Sequence, residues 1–260
     1  MNATVGLATL VSGEIDYYTS LAPGVAAAIR GVPVKIVACY VPGPTATLIA
    51  RPEFKSVQEL RGKTIGIDVF GSNLNIIARN IFKRSGLDPD KDVKLLAAGP
   101  LEARLASMNQ GLIVATLGGP PTDFLGKKMG FVVLARAHEL FSFPVTGILA
   151  SDKKIKEKPD EIKRLIKAGI KANRYIRQNR EGTIQAWMEW MKIDKEIATA
   201  TYDSVGKAFN EDGNLPEDGL RLLIDEAKKA AKISREIASS EVVDLAILRE
   251  AQKELGIQPK

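Results

Sequence analysis

The chain has 260 residues with 45% hydrophobic and 26% charged content, the profile of a water-soluble globular protein with room for one or two domains. No run approaches the length of apolar residues that a membrane helix needs, and one cysteine (Cys39) with one histidine (His138) excludes an internal disulfide and the common spaced metal motifs. The formal charge of +6 invites a nucleic-acid partner, but residues 151–180 hold eleven Lys or Arg against four Asp or Glu. The rest of the chain therefore nets −1. Ile162, Leu165, Ile166, Ile170 and Ile176 recur at helical spacing between those basic residues, which predicts one amphipathic helix with a basic outer face, and no nucleic-acid partner is expected.

Met1-Asn2-Ala3-Thr4 shows neither a basic n-region nor a cleavage site, so no export signal is read there. Short β-type runs then alternate with helical ones. Strands are predicted at 34–40, 45–50, 64–69, 93–97, 112–117, 131–134 and 147–150. Helices are predicted at 22–30, 56–61, 74–85, 101–109 and 122–129. This alternation predicts an α/β fold with parallel sheets, in which ligands bind beyond the carboxyl ends of the strands. From Pro159 onward the pattern is almost wholly helical, with segments at 159–179, 181–191, 195–209, 216–232 and 240–255. Asn214 is expected to cap the fourth, with Pro216 in its first turn.

Five junctions have the composition of a binding floor: Asp16-Tyr17-Tyr18-Thr19, Pro42-Gly43-Pro44-Thr45, Gly71-Ser72-Asn73, Gly99-Pro100-Leu101-Glu102 and Gly118-Gly119-Pro120-Pro121-Thr122-Asp123. Glycine allows close backbone approach and proline stiffens the turn. The strongest is Gly71-Ser72-Asn73, where a β-run passes into a helix. The free N–H groups and the helix dipole at such a junction attract anions without a cationic side chain. Gly62-Lys63-Thr64 echoes a phosphate loop, but Val57 stands where that motif needs glycine, and Lys63 precedes the strand. Asp16, Asp68, Glu102 and Asp123 carry no spacing that marks an acid–base pair. The reading is a binding site with no catalytic residues, no metal and no cofactor.

Several stretches, in order along nearly the whole chain, resemble the substrate-binding proteins of ABC importers, in the group that handles nitrate, alkanesulfonates, taurine and thiamine-pyrimidine precursors. They include Leu10-Val11-Ser12-Gly13-Glu14-Ile15-Asp16, Arg30-Gly31-Val32-Pro33-Val34-Lys35-Ile36-Val37, and Val242-Val243-Asp244-Leu245. The most specific is Leu60-Arg61-Gly62-Lys63-Thr64-Ile65-Gly66, feeding a strand that ends in Gly71-Ser72. The resemblance implies a two-lobed type II periplasmic-binding-protein fold with a hinge and a helical C-terminal third. Residues 1–61 with 136–260 would form the first lobe and 62–135 the second, with hinge crossings near 50–55 and 136–142. It also implies a small anionic or polar ligand captured by hinge closure, a membrane permease as partner, and a periplasmic or extracytoplasmic location. On that family's pattern a first βα unit would precede Gly13-Glu14-Ile15-Asp16, and its absence would leave an unpaired sheet edge.

On this reading Tyr17, Tyr18, Phe70 and Phe143 would enclose the body of the ligand. Ser72, Asn73 and Thr122 would hold its polar end, over a floor of Gly43, Pro44, Gly71, Gly99, Gly119 and Pro120. An enzyme on the same scaffold, of the pyrimidine- or menaquinone-pathway type, is the alternative. A ligand-sensing module of a regulator would bring a DNA-binding or signalling domain, and none is read here.

Overall fold

The computed structural model describes residues 3–258. In chain order its elements are α1 (Ala3–Ser12), β1 (Tyr18–Ser20), α2 (Leu21–Ala28), β2 (Val34–Val41), β3 (Thr47–Ala50), β4 (Thr64–Ile67), α3 (Asn73–Arg84), β5 (Lys94–Ala97), α4 (Leu101–Asn109) and β6 (Ala115–Gly118). There follow α5 (Thr122–Lys128), β7 (Val132–Arg136), β8 (Thr146–Ser151), α6 (Asp152–Glu157), α7 (Pro159–Gln178), α8 (Arg180–Met191), α9 (Lys195–Val205), α10 (Glu217–Ala231), α11 (Ser239–Val242) and α12 (Ala246–Glu254). Two short 3₁₀ turns lie at Gln58–Leu60 and Ala137–Glu139.

The chain forms two compact units. Unit 1 runs up to Gly43 and adds Ser142–Asn179 and the chain from Lys207 on, while unit 2 is Pro44–Phe141 with Arg180–Gly206. The chain therefore passes between units after residues 43, 141, 179 and 206. These boundaries differ from those expected at 61/62 and 135/136. Strand β3 belongs to unit 2 because it is laddered between β6 and β7. The α8–α9 hairpin belongs to the same unit, where Lys128 of α5 pairs with Glu196 of α9.

Unit 1 holds a three-stranded sheet, β1-β8-β2, whose pairs are antiparallel. Its core sets Val37, Ala38, Ile148 and Ala150 against Ile162, Ile166 and Ile170 of α7 and Ile247, Leu248 and Ala251 of α12. The spacing of the three isoleucines puts them on one face of α7. The neighbouring basic side chains meet carboxylates of α12: Lys163 lies 3.3 Å from Glu250 and 3.1 Å from Glu254, and Lys167 lies 2.6 Å from Glu254. Part of the positive charge seen in the sequence is thus neutralised within unit 1.

Unit 2 holds a five-stranded sheet, β5-β4-β6-β3-β7. Strands β5, β4 and β6 are parallel, whereas β3 runs antiparallel to both β6 and β7. The expectation of parallel sheets therefore holds only for those three strands. Alternation of strand and helix reports burial and length, but a chain that crosses between units four times can re-enter a sheet in either direction.

Other expected elements are also revised. The helix at 56–61 is one 3₁₀ turn, and the strand at 112–117 begins only at Ala115, with Leu112 exposed before it. The final helix is interrupted at Val243, which is extended and bridges Ile36. Asn214 does not cap α10. Pro216 occupies the cap, and the Asn214 side chain donates to Asp212. Tyr18–Ser20 is itself a strand, so Asp16 and Tyr17 lie before a strand rather than after one.

Cys39 is fully enclosed in β2, and burial pushes its thiol up to about 12. The thiolate is the reactive form, so Cys39 should resist a thiol reagent in the native protein and be labelled only as the chain unfolds. Rapid stoichiometric labelling without denaturant would contradict this packing.

Candidate functional site

Parallel pairing brings three βα turns to one edge of the unit 2 sheet. Ile67 at the end of β4 pairs with Ala97 at the end of β5, and Gly66 pairs with Thr116 of β6. The turns that follow are Gly71-Ser72-Asn73, Gly99-Pro100 and Gly119-Pro120-Pro121. Thr47, opening β3, is opposite both Gly118 and Arg136, so Pro44 and Thr45 reach the same edge.

The first turn is the most developed. Gly71 has φ +80°, a left-handed conformation that favours glycine. Ser72 caps α3: its hydroxyl oxygen accepts the Asn75 N–H at 3.0 Å and its O–H donates to Asp68 Oδ1 at 2.6 Å. Gly71 N–H donates to Asn75 Oδ1 at 3.1 Å. Asn75 is only 6% exposed, yet its Nδ2 has no acceptor among the described residues. Buried amide donors are normally satisfied, and this one has no partner among the described residues.

Beside it, Gly99 N–H donates to Asp68 O at 3.2 Å, tying the second turn to the first. Arg104 of α4 is 3% exposed and lies beneath both. Its Nε donates to Gly99 O at 3.0 Å, and its Nη1 donates to Thr116 Oγ1 at 3.0 Å and to Leu117 O. Thr116 in turn donates to Gly66 O at 2.8 Å. Burial lowers the Arg104 pKa, opposed by Asp68 and Glu102. The edge thus carries a negative group at Asp68 with a buried cation within electrostatic reach. Just past β4, Val69 and Phe70 are 57% and 63% exposed, and Leu96 of β5 is 47% exposed. Apolar side chains are therefore presented at the same end of the sheet.

Of the residues singled out in the sequence, Pro44, Phe70, Gly71, Ser72, Asn73, Gly99, Gly119, Pro120 and Thr122 all belong to this edge of unit 2. Pro44 is buried. Thr122 is fully buried, and its hydroxyl closes the turn by donating to Gly119 O at 2.5 Å. It is a turn support rather than an open donor. Asp123 is ion-paired with Arg136 at 2.8 Å.

Tyr17, Tyr18, Gly43 and Phe143 belong to unit 1. Tyr17 donates its hydroxyl to Glu161 at 2.7 Å beneath Lys154, which itself lies 2.7 Å from Asp16 and from Glu161. The Tyr18 ring packs on Gly6. Phe143 is fully enclosed, so the aromatic wall expected there is core.

Asn75, Asp68 and Arg104 were not singled out as ligand-site residues. Arg104 left a legible signal, since it interrupts an apolar stripe of Leu101, Leu105 and Met108 at helical spacing. A cation on a buried face needs a compensating network.

A family model described as NMT1/THI5 like matches residues 3–182. A candidate binding protein of Brucella abortus (strain 2308) is 25% identical over 198 residues, which is 75% of this chain and 61% of that relative. The match thus spans less than two thirds of the relative's length. Among solved structures, the periplasmic aliphatic sulphonate binding protein SsuA from Escherichia coli is similar with a TM-score of 0.77 at 17% identity, over 93% of this chain and 79% of that one. The periplasmic nitrate-binding protein NrtA from Synechocystis PCC 6803 gives a TM-score of 0.73 at 15% identity, over 98% of this chain and 79% of that one. The fold is the α/β periplasmic-binding-protein fold. By the match over residues 3–182, the chain belongs to the NMT1/THI5-like family.

Proposed function

We propose that this chain is the solute receptor of an ABC importer, working outside the cytoplasm and delivering a small polar organic ligand to a membrane permease by hinge closure. The observation that carries the reading is the unsatisfied Asn75 donor beside the Ser72-capped start of α3, with two further glycine-containing turns on the same sheet edge. A ligand oxygen would accept from Asn75 Nδ2, and Phe70 and Val69 would cover its hydrocarbon part. Family membership and the likeness to sulphonate- and nitrate-binding proteins support this reading.

Asp68 qualifies the charge of the ligand. Its carboxylate stands at the start of α3, where it already complements the helix dipole. It would oppose a second negative charge, partly offset by Arg104. The preferred ligand is therefore one whose polar end accepts hydrogen bonds, with its negative charge dispersed or absent.

A thermal-shift screen of sulfonates, taurine, nitrate, aromatic carboxylates and pyrimidines tests the reading. A ligand at a hundred times its Kd stabilises by about 2.7 kcal/mol, roughly 5–10 °C for a chain of this size. A saturable shift without turnover supports a receptor, and product formation from any of them would replace it with an enzyme. Asp68→Asn should raise affinity for an anionic ligand about three- to tenfold and leave a neutral one nearly unchanged. Titration calorimetry showing weaker anion binding in that variant would mean that Asp68 acts as a positioning group for Ser72 instead.

A further inference from the structure

A cavity of about 640 Å³ is lined wholly by residues of unit 1. Most of its lining comes from residues 210–252, beyond the segment that matches the family. Its volume falls in the range of small-molecule pockets.

The floor is a loop tied to itself. Asn210 Nδ2 donates to Cys39 O at 2.8 Å and to Asn214 O at 2.9 Å. Gln252, buried in α12, donates to Asp212 O at 2.8 Å and to Asn214 Oδ1 at 2.9 Å. Asn214 donates its backbone N–H to Asp212 Oδ1 at 2.9 Å and its amide to Asp212 Oδ2 at 2.8 Å. These bonds fix the direction of the Asp212 carboxylate while leaving lone-pair capacity on both oxygens.

Among the described residues no cation pairs with that carboxylate. Arg249 lines the same cavity, and among the described residues its guanidinium has neither an ion-pair nor a hydrogen-bond partner. The contrast with its neighbours is sharp, because Glu250 and Glu254 on the same helix are both held by lysines of α7. Glu217 also lines the cavity but is paired with Arg221 at 2.6 Å, so Asp212 and Arg249 are the two charges there that have no opposite charge beside them among the described residues. The same lining includes the apolar side chains of Leu215, Leu245 and Leu248.

We propose that this cavity binds a zwitterionic aliphatic α-amino acid, its ammonium on Asp212, its carboxylate on Arg249 and its side chain against the leucines. Arginine suits the planar carboxylate because its fork can donate two parallel hydrogen bonds. A pre-oriented aspartate suits the ammonium because little ordering remains to be done on binding. The site is independent of the ligand proposed for unit 2.

The test is calorimetric titration of the full chain with L-leucine, L-leucinamide and N-acetyl-L-leucine. Leucine should bind saturably, and each analogue, lacking one of the two charges, should bind about tenfold more weakly. Arg249→Gln should weaken leucine about tenfold and leave leucinamide unchanged, and Asp212→Asn should do the converse with N-acetyl-leucine. Arg249 is exposed and needed by no contact of the fold, so that variant stays informative if Asp212→Asn disturbs the loop. Absence of saturable binding at millimolar leucine, equal binding of leucinamide, or an Arg249→Gln variant with unchanged leucine affinity would each overturn the proposal.

Discussion

Replacing Arg104 with methionine should destabilise the protein by about 2–4 kcal/mol and weaken binding at the unit 2 edge. Three acceptors lose their donor at once: Gly99 O, Thr116 Oγ1 and Leu117 O. Hydrogen bonds from a charged donor contribute about 1.5–3 kcal/mol each, and an acceptor left dry adds its own desolvation cost. Against this, the variant no longer holds a cation in a site where burial already lowers its pKa, and methionine refills much of the volume. The two effects do not cancel, because Thr116 Oγ1 and Leu117 O stay buried.

For a chain of this length the loss corresponds to roughly 4–16 °C in Tm. Arg104→Lys keeps the charge but not the fork, and should fall between the two. A functional signature separates the site from the general core. Gly99 N–H holds Asp68, whose side chain accepts from Ser72, so Arg104→Met should weaken any ligand of α3 even at temperatures where the protein remains folded. If chemical denaturation places Arg104→Met within about 0.5 kcal/mol of the unsubstituted chain, the buried fork is not what joins the turns.

The start of α3 was legible because Gly71-Ser72-Asn73 combines a left-handed glycine with a capping serine directly before a helical pattern, and both are local properties. The core face of α7 was legible for the same kind of reason. Strand direction was not, because burial patterns in β3 and β8 are alike whichever way the strand runs. Strand β1 escaped because three residues, Tyr-Thr-Ser, carry no alternation to read. Phe143 reads from sequence as part of a ligand wall although it is core, since an aromatic residue after a loop has the same local sequence in either setting. Asn214 looks like a helix cap, but its partners Asp212 and Gln252 lie in a tertiary network that no local window contains. Asn75 shows the same limit in the site itself: its buried, unsatisfied amide appears only once α3 is seated on the sheet.

Gly147→Ala should cost unit 1 about 3–4 kcal/mol. Gly147 lies in β8, the central strand of the three, paired with Cys39 of β2. A Cβ added there would overlap the carbonyl oxygen of Ala38 and come within 3.0 Å of Cys39 Cα. Both obstacles are backbone, so no rotamer change relieves them. The β2–β8 register is irregular on either side of this pair. The strands must therefore separate, which weakens ladder hydrogen bonds and loosens Val37, Ala38 and Ile148 from the isoleucines of α7. The contrast with Gly24 is instructive, since a Cβ there meets only the Leu149 side chain, which can turn. Gly24→Ala should therefore cost less than Gly147→Ala. Cys39 provides the local readout: as β2 parts from β8, its labelling should accelerate in Gly147→Ala well before global unfolding. Equal thermal midpoints for Gly147→Ala and the unsubstituted chain, with Cys39 still protected, would mean that β2 and β8 do not approach this closely in solution.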